Sequence, residues 1–333
     1  VPNRASSLTP ARPAGAGAQP SRTGLIGGPV PILTAAVLWG TTGTASSLAP
    51  AGAPAAAIGC TGLALGGILL FLTSGGARTL PAACTRSERW LLVLGALSVA
   101  GYPVTFYPAV ARSGVAVATV IALGSAPVFT GLLTWTTSRV RPTARWTAAT
   151  AAAVLGCTLL VLGPELTGHA TPMNLTGIAL AACAGLSYAA YSLIGGRLIT
   201  SGHPSEPVMG AMFGAAGLLV LPLVLSTSTH WLATTRGAAV ALHLALFTVY
   251  LAYRLFGHGL RHTPASVATT LTLAEPAVAA LLGVTVLGER LPAASWGGLA
   301  VLALALAILT APAGTKRRER WTRWRSRVRW NAQ

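Results

Sequence analysis

Ten apolar stretches, each close to the length of a bilayer crossing, occupy nearly all of the chain between residues 29 and 311. They lie near 29–48, 54–73, 90–110, 115–136, 146–163, 174–195, 207–226, 237–256, 265–287 and 292–311. An α-helix needs about 20 predominantly apolar residues to cross the hydrocarbon core, and only helices or closed barrels satisfy their backbone hydrogen bonds there. The expected fold class is an all-α polytopic membrane protein with ten transmembrane helices. The segments left over are too short for a soluble domain.

Charge then bears on orientation. Only 9% of the 333 residues are charged and 53% are hydrophobic, far from the balance of a soluble domain. A formal net charge of +17 would suggest nucleic acid in a soluble chain, but here the arginines fall in short segments between apolar runs. Cytoplasmic loops keep the excess of positive charge. Alternate loops put Arg78, Arg86, Arg89, Arg139, Arg141 and Arg145 on one side and only Arg112, Arg236 and Arg290 on the other. A multi-pass cell-membrane protein with both termini cytoplasmic is expected. Its Arg-, Ala- and Gly-rich composition suits a GC-rich bacterial genome.

Residues 1–28 have no apolar core before Leu25 and read as a disordered arm rather than a signal peptide. Residues 312–333 form a basic tail in which Trp321, Trp324 and Val328 share a helical stripe among arginines. So close to a span, such a cluster is expected to lie on anionic lipid headgroups rather than on nucleic acid. The four cysteines are scattered singly, which indicates neither a metal site nor a disulfide framework, and no cofactor is implied.

The chain also repeats itself. A-V-A-R-S-G-V-A-V-A-T at 109–119 aligns with G-L-R-H-T-P-A-S-V-A-T at 259–269, and R-P-T-A-R-W at 141–146 with L-P-A-A-S-W at 291–296, at one common offset. Pro127 matches Pro276 after a one-residue gap. The expected organisation is a first five-helix repeat over 29–163, a linker over 164–173 and a second repeat over 174–311. Five is odd, so the second copy must cross in the opposite sense. Inverted repeats of this kind build secondary transporters, with the substrate site near the midplane between the halves.

At these residues the chain resembles the EamA family of the drug/metabolite transporter superfamily. The matching features are A-V-L-W-G with Trp39 and Gly40, the paired S-A-P and A-E-P motifs at Pro127 and Pro276, and V-L-G-E-R-L at 286–291 leading to Trp296 and Gly297. The resemblance implies a ten-helix carrier that exports, or less often imports, small metabolites or drugs, commonly driven by an ion or proton gradient. Two positions depart from the pattern. Arg139 stands where the second half has Glu289, and the second span carries Cys60 and Thr61 where relatives often have an arginine, so no anion-binding role is carried over there.

Within the spans, Glu275 is the residue to explain. One of only six acidic residues, it lies near the middle of the ninth stretch, where a charged carboxylate costs about 2.5–3.5 kcal/mol. Helical periodicity puts Thr272 on its face, and Pro276 loosens the helix beside it. Glu275 is the candidate to bind a cationic substrate group or to carry a proton, against the plainer reading of a neutral acid packed on a neighbouring helix. His243, about 8 Å into the eighth stretch, is a second candidate for proton coupling against an interfacial histidine. Trp39, Tyr102, Tyr188 and Tyr191, with Thr272, are candidates for the wall of a small-molecule pocket, although helix packing or an interfacial belt also explains each aromatic. Pro127 and Pro276 are candidates for helix bending. No Walker A, H-E-x-x-H or paired-carboxylate arrangement is present, which weighs against ATP-driven pumping and against a membrane enzyme. A transporter fold kept as a sensor or assembly subunit is the other alternative.

Overall fold

The computed structural model describes residues 27–139, 141–163, 174–227, 229–288 and 290–311. The expectations for the basic tail, the linker, most of the N-terminal arm and Glu289 fall outside them. Among the described residues there is no strand. The helices are α1 (Pro29–Ser47), α2 (Ala55–Thr73), the single turn α3 (Leu80–Ala83), α4 (Arg86–Ser138), α5 (Ala144–Leu162), α6 (Leu175–Thr200) and α7 (Ser205–Ser226). After them come α8 (Thr235–Leu260), α9 (Ala265–Val286) and α10 (Ala293–Thr310). Eight of these are long and apolar enough to cross a membrane; α1, whose second half is rich in Thr, Gly and Ser, and the short α3 are not among them.

Three of the rods depart from regular helix, each for a local reason. The 53 residues of α4 would run about 80 Å at 1.5 Å per residue, far beyond one hydrocarbon core. It is broken at Gly114, whose φ of 78° and ψ of 160° suit glycine and almost no other residue. The break falls where the sequence separates its third and fourth stretches. In α8, residues Leu244–Leu251 wind as a π-helix between two α-helical pieces, Thr235–His243 and Ala252–Leu260. In α9 the helix stops at Leu271 and restarts at Ala274.

Proline chemistry accounts for the break in α9. A proline inside a helix has no N–H and its ring clashes with the carbonyl four residues earlier. For Pro276 that residue is Thr272, where the helix ends, and the Thr272 carbonyl is taken instead by the Glu275 amide at 2.9 Å. Pro276 thereby sits in the first turn of the second piece, where a missing donor costs nothing.

The helices pack by close approach. α6 lies along both arms of α4, α2 pairs with α7, α5 with α10, and α1 with α9. Gly185 of α6 sits against the Ala122 carbonyl of the second arm, while Gly95 of the first arm sits against Met212 of α7. Small residues at such contacts let backbones approach where lipid supplies no hydrophobic drive between helices. Exchanging the first group of spans for the second maps these pairings onto one another: α1 on α9 corresponds to α6 on the second arm of α4, and α2 on α8 to α7 on the first arm. Outward faces carry Leu65, Leu72, Leu94, Leu218, Leu225 and Leu304, all exposed, as a lipid-facing surface requires. At one end of the bundle Arg145 of α5 donates to the carbonyls of Ile308, Leu309 and Ala311, putting a cation on the C-terminus of α10.

Candidate functional site

The break in α9 is the centre of the arrangement. Because the helix restarts at Ala274, Glu275 occupies the first turn of the second piece, where helix amides favour a negative charge. Glu275 is half-buried. Among the described residues the ion pairs are His203 with Glu88 and Arg254 with Glu206, and Glu275 takes part in neither. Its backbone amide donates to the Thr272 carbonyl at 2.9 Å, and Thr272 accepts from the Tyr188 hydroxyl, which ties the acid's turn to a tyrosine of α6.

Two contacts fix the break in place. The buried Tyr188 hydroxyl donates to Thr272 Oγ1 at 2.7 Å, and Thr272 in turn donates to the Thr269 carbonyl at 2.9 Å. On the other side α1 presses its Gly40 against the Glu275 carbonyl; a Cβ there would stand 2.9 Å from that oxygen and 2.6 Å from Val278 Cβ. Only a residue without a side chain fits so close an approach.

Gly40 follows Trp39, which opens an aromatic wall. The buried indole stands 4.9 Å from the Tyr253 ring, 5.5 Å from Phe256 and 6.4 Å edge-on from Tyr188, measured between centroids. Tyr188 lies 5.2 Å from Tyr191, whose hydroxyl is 3.1 Å from that of Tyr253. Tyr102 stacks on Phe106 at 5.4 Å and meets Tyr188 edge-on at 6.4 Å. These spacings are those of interacting aromatic pairs. The structure therefore brings Trp39, Tyr102, Tyr188, Tyr191, Thr272 and Glu275 to one region.

The other sequence candidates lie elsewhere. His243 accepts or donates a hydrogen bond with Thr41 Oγ1 at 2.9 Å and packs on Phe247 at 5.1 Å. Pro127 lies within the second arm of α4, whose non-helical residue is Gly114. Sequence reasoning missed Phe213 and Phe256, which complete the aromatic cluster around Tyr253 at 3.8 and 6.3 Å. The i, i+3 spacing of Tyr253 and Phe256 was the available signal. It also missed the π-helical turn, which offers the Thr248 carbonyl to Trp39 Nε1 at 2.7 Å. Such turns recur at functional sites.

A helical bundle with a broken helix, an interior acid that has no cationic partner among the described residues and an aromatic wall is the construction of a multi-pass membrane transporter. Comparison with known proteins supports this class and gives the family. The model of the EamA-like transporter family matches residues 27–162 and again 175–311, so the chain belongs to that family. It is 38% identical over 281 residues to YwfM, an uncharacterized transporter of Bacillus subtilis, covering 84% of this chain and 92% of that one. It is 34% identical over 166 residues to the threonine/homoserine exporter RhtA of Salmonella typhimurium, a match spanning 49% of this chain and 52% of RhtA. A solved crystal structure at 22% identity superposes with a TM-score of 0.69 over 84% of this chain and 94% of its own, a likeness of fold.

Proposed function

We propose that this transporter is a secondary active exporter of small ammonium-bearing metabolites or drugs, working by alternating access between two inverted halves. In this reading ten spans are reached by counting the two arms of α4 separately and by including α1, and both termini are cytoplasmic. The observation that carries the proposal is Glu275: an interior carboxyl with no cation paired to it among the described residues, at a helix break that Tyr188 ties to the aromatic wall. A substrate ammonium would find there the charge partner that the protein does not provide, together with cation–π surface from Trp39 and the tyrosines. A proton on Glu275 can replace it, so that outward movement of substrate and inward movement of protons use one carboxyl in turn. RhtA, which exports the amino acids threonine and homoserine, is consistent with such a substrate.

Pro127 and Pro276 serve this reading as points where the rods yield, and His243 with Thr41 as a polar contact on the path from the site. A membrane enzyme is the weaker reading, because the side chains that meet at the break beside Glu275, Tyr188 and Thr272, are a phenol and a hydroxyl that only donate and accept hydrogen bonds. The test is flux in vesicles containing the purified protein, loaded with a panel of amino acids, primary amines, lipophilic cations and, as controls, carboxylates without an amine. Efflux of ammonium-bearing compounds accelerated by an imposed proton gradient supports the proposal. Efflux confined to the anionic controls, or absent for the whole panel, refutes it.

A further inference from the structure

At one end of the bundle, about three to four helical turns along α4 and α6 from Tyr102 and Tyr191, three side chains of different chemistry converge. His203 Nε2 stands 3.3 Å from Glu88 Oε1 and 3.8 Å from Cys84 Sγ, and the three atoms all lie within 4.8 Å of one another. Cys84 is buried, while Glu88 and His203 keep partial access to solvent. We propose that Cys84, Glu88 and His203 form a binding site for a zinc-class divalent cation, with three protein ligands and a fourth position open to water.

Two of the three separations fit that geometry, and the third, between Cys84 and Glu88, lies within 4.8 Å. Metal–ligand bonds of about 2.3 Å to sulfur and about 2.0–2.1 Å to nitrogen and oxygen, at tetrahedral angles, make an S–N edge of about 3.6 Å and an N–O edge of about 3.4 Å. The two contacts made by His203 already match these edges to within a few tenths of an ångström. Thiolate, imidazole and carboxylate are together a donor set for zinc rather than for magnesium or calcium, which prefer oxygen alone.

Each ligand is also held from behind, as the outer shell of a metal site holds its ligands. Glu88 belongs to a capping box at the start of α4. Its Oε2 accepts from the amide and the hydroxyl of Thr85, both at 2.8 Å, which leaves Oε1 turned to His203. The Cys84 amide caps α3 by donating to the Leu80 carbonyl at 3.1 Å, and its own carbonyl accepts from Arg89 Nε at 3.2 Å. That arginine is bound to backbone, and Glu88 makes no ion pair with an arginine or lysine among the described residues. His203 follows Gly202, whose φ of 109° ends α6, and donates its amide to the Leu198 carbonyl at 3.2 Å. Linear spacing conceals the site, because Cys84 and His203 are 119 residues apart and come from the two separate family matches. A bound cation would join the turn before α4 to the turn before α7. The alternative occupant of the same space is the simple His203–Glu88 ion pair with the thiol as a bystander.

The experiment uses the purified full-length protein, without a polyhistidine tag, stripped with chelator in detergent and titrated calorimetrically with Zn²⁺. The proposal expects one Zn²⁺ per chain, with affinity falling at least tenfold in Cys84→Ser and in His203→Ala and unchanged in Cys183→Ser. Glu88→Gln, whose amide oxygen can still complete the capping box, is expected to fold normally and to weaken binding. Co²⁺ added to the unmodified protein gives a second reading that needs no variant, a thiolate-to-metal charge-transfer absorption. No stoichiometric zinc, no such absorption, or zinc affinity untouched by Cys84→Ser and His203→Ala would overturn the site.

Discussion

Tyr188 donates its hydroxyl proton to Thr272 Oγ1 at 2.7 Å, and through this one bond α6 holds the place where α9 breaks. Tyr188→Phe removes the donor and keeps the ring. Thr272 retains its bond to the Thr269 carbonyl, so the loss is that of one buried hydrogen bond, about 0.5–1.5 kcal/mol. Thermal unfolding in detergent should register a small drop. Flux should fall further than stability does, because the break positions Glu275.

Gly40 is the contact between α1 and the second piece of α9. Gly40→Val forces its side chain onto Val278 and the Glu275 carbonyl, an overpacking that costs about 1–3 kcal/mol. Combining it with Val278→Ala relieves one of the two collisions, so the double variant should unfold at a higher temperature than Gly40→Val alone. Equal unfolding temperatures would mean that the two residues do not meet.

Trp39 joins the aromatic wall to the π-helical turn through its bond to the Thr248 carbonyl. Trp39→Phe keeps an aromatic face for a cation but leaves that carbonyl without its indole donor. The expected result is retained binding of ammonium substrates, with an apparent affinity weakened by less than tenfold, whereas Trp39→Ala should weaken it by more. Binding measured by tryptophan-independent methods, such as radioligand retention, separates the two.

Arg145 caps the C-terminus of α10 with several carbonyl contacts. Arg145→Gln should cost about 0.3–1 kcal/mol, the usual scale of a cation at a helix end, and leave substrate preference unchanged. A changed substrate preference would place this residue in the transport path instead.

The sequence and the structure agree most where lipid is the solvent. A span has to be apolar along its whole length whatever its partners, so the stretches at 54–73, 207–226 and 292–311 correspond to α2, α7 and α10 within a few residues. Glu275 and Pro276 were legible for the same reason, as costly residues in an apolar run. The position of the break was harder to read, since proline acts on the carbonyl four residues back and the disruption appears at Thr272 rather than at Pro276 itself. The π-helical turn in α8 left no mark in composition. Its Thr248 carbonyl accepts from Trp39, 209 residues away, a contact that no local pattern records. The aromatic wall was half legible: Trp39, Tyr102, Tyr188 and Tyr191 stood out as candidate pocket aromatics, and Phe256 was signalled only by its spacing from Tyr253, but Phe213 looked like ordinary core until the packing of α7 on α8 brought it to Tyr253.

The central claim is that one carboxyl serves substrate and proton in turn, and it is tested most directly by efflux of an ammonium substrate from vesicles holding the Glu275→Gln protein, with and without a proton gradient. The account predicts that the variant folds, reconstitutes and loses gradient-driven efflux by at least tenfold, while Glu275→Asp retains part of it. Gradient-driven efflux by Glu275→Gln at the rate of the unmodified protein would contradict it.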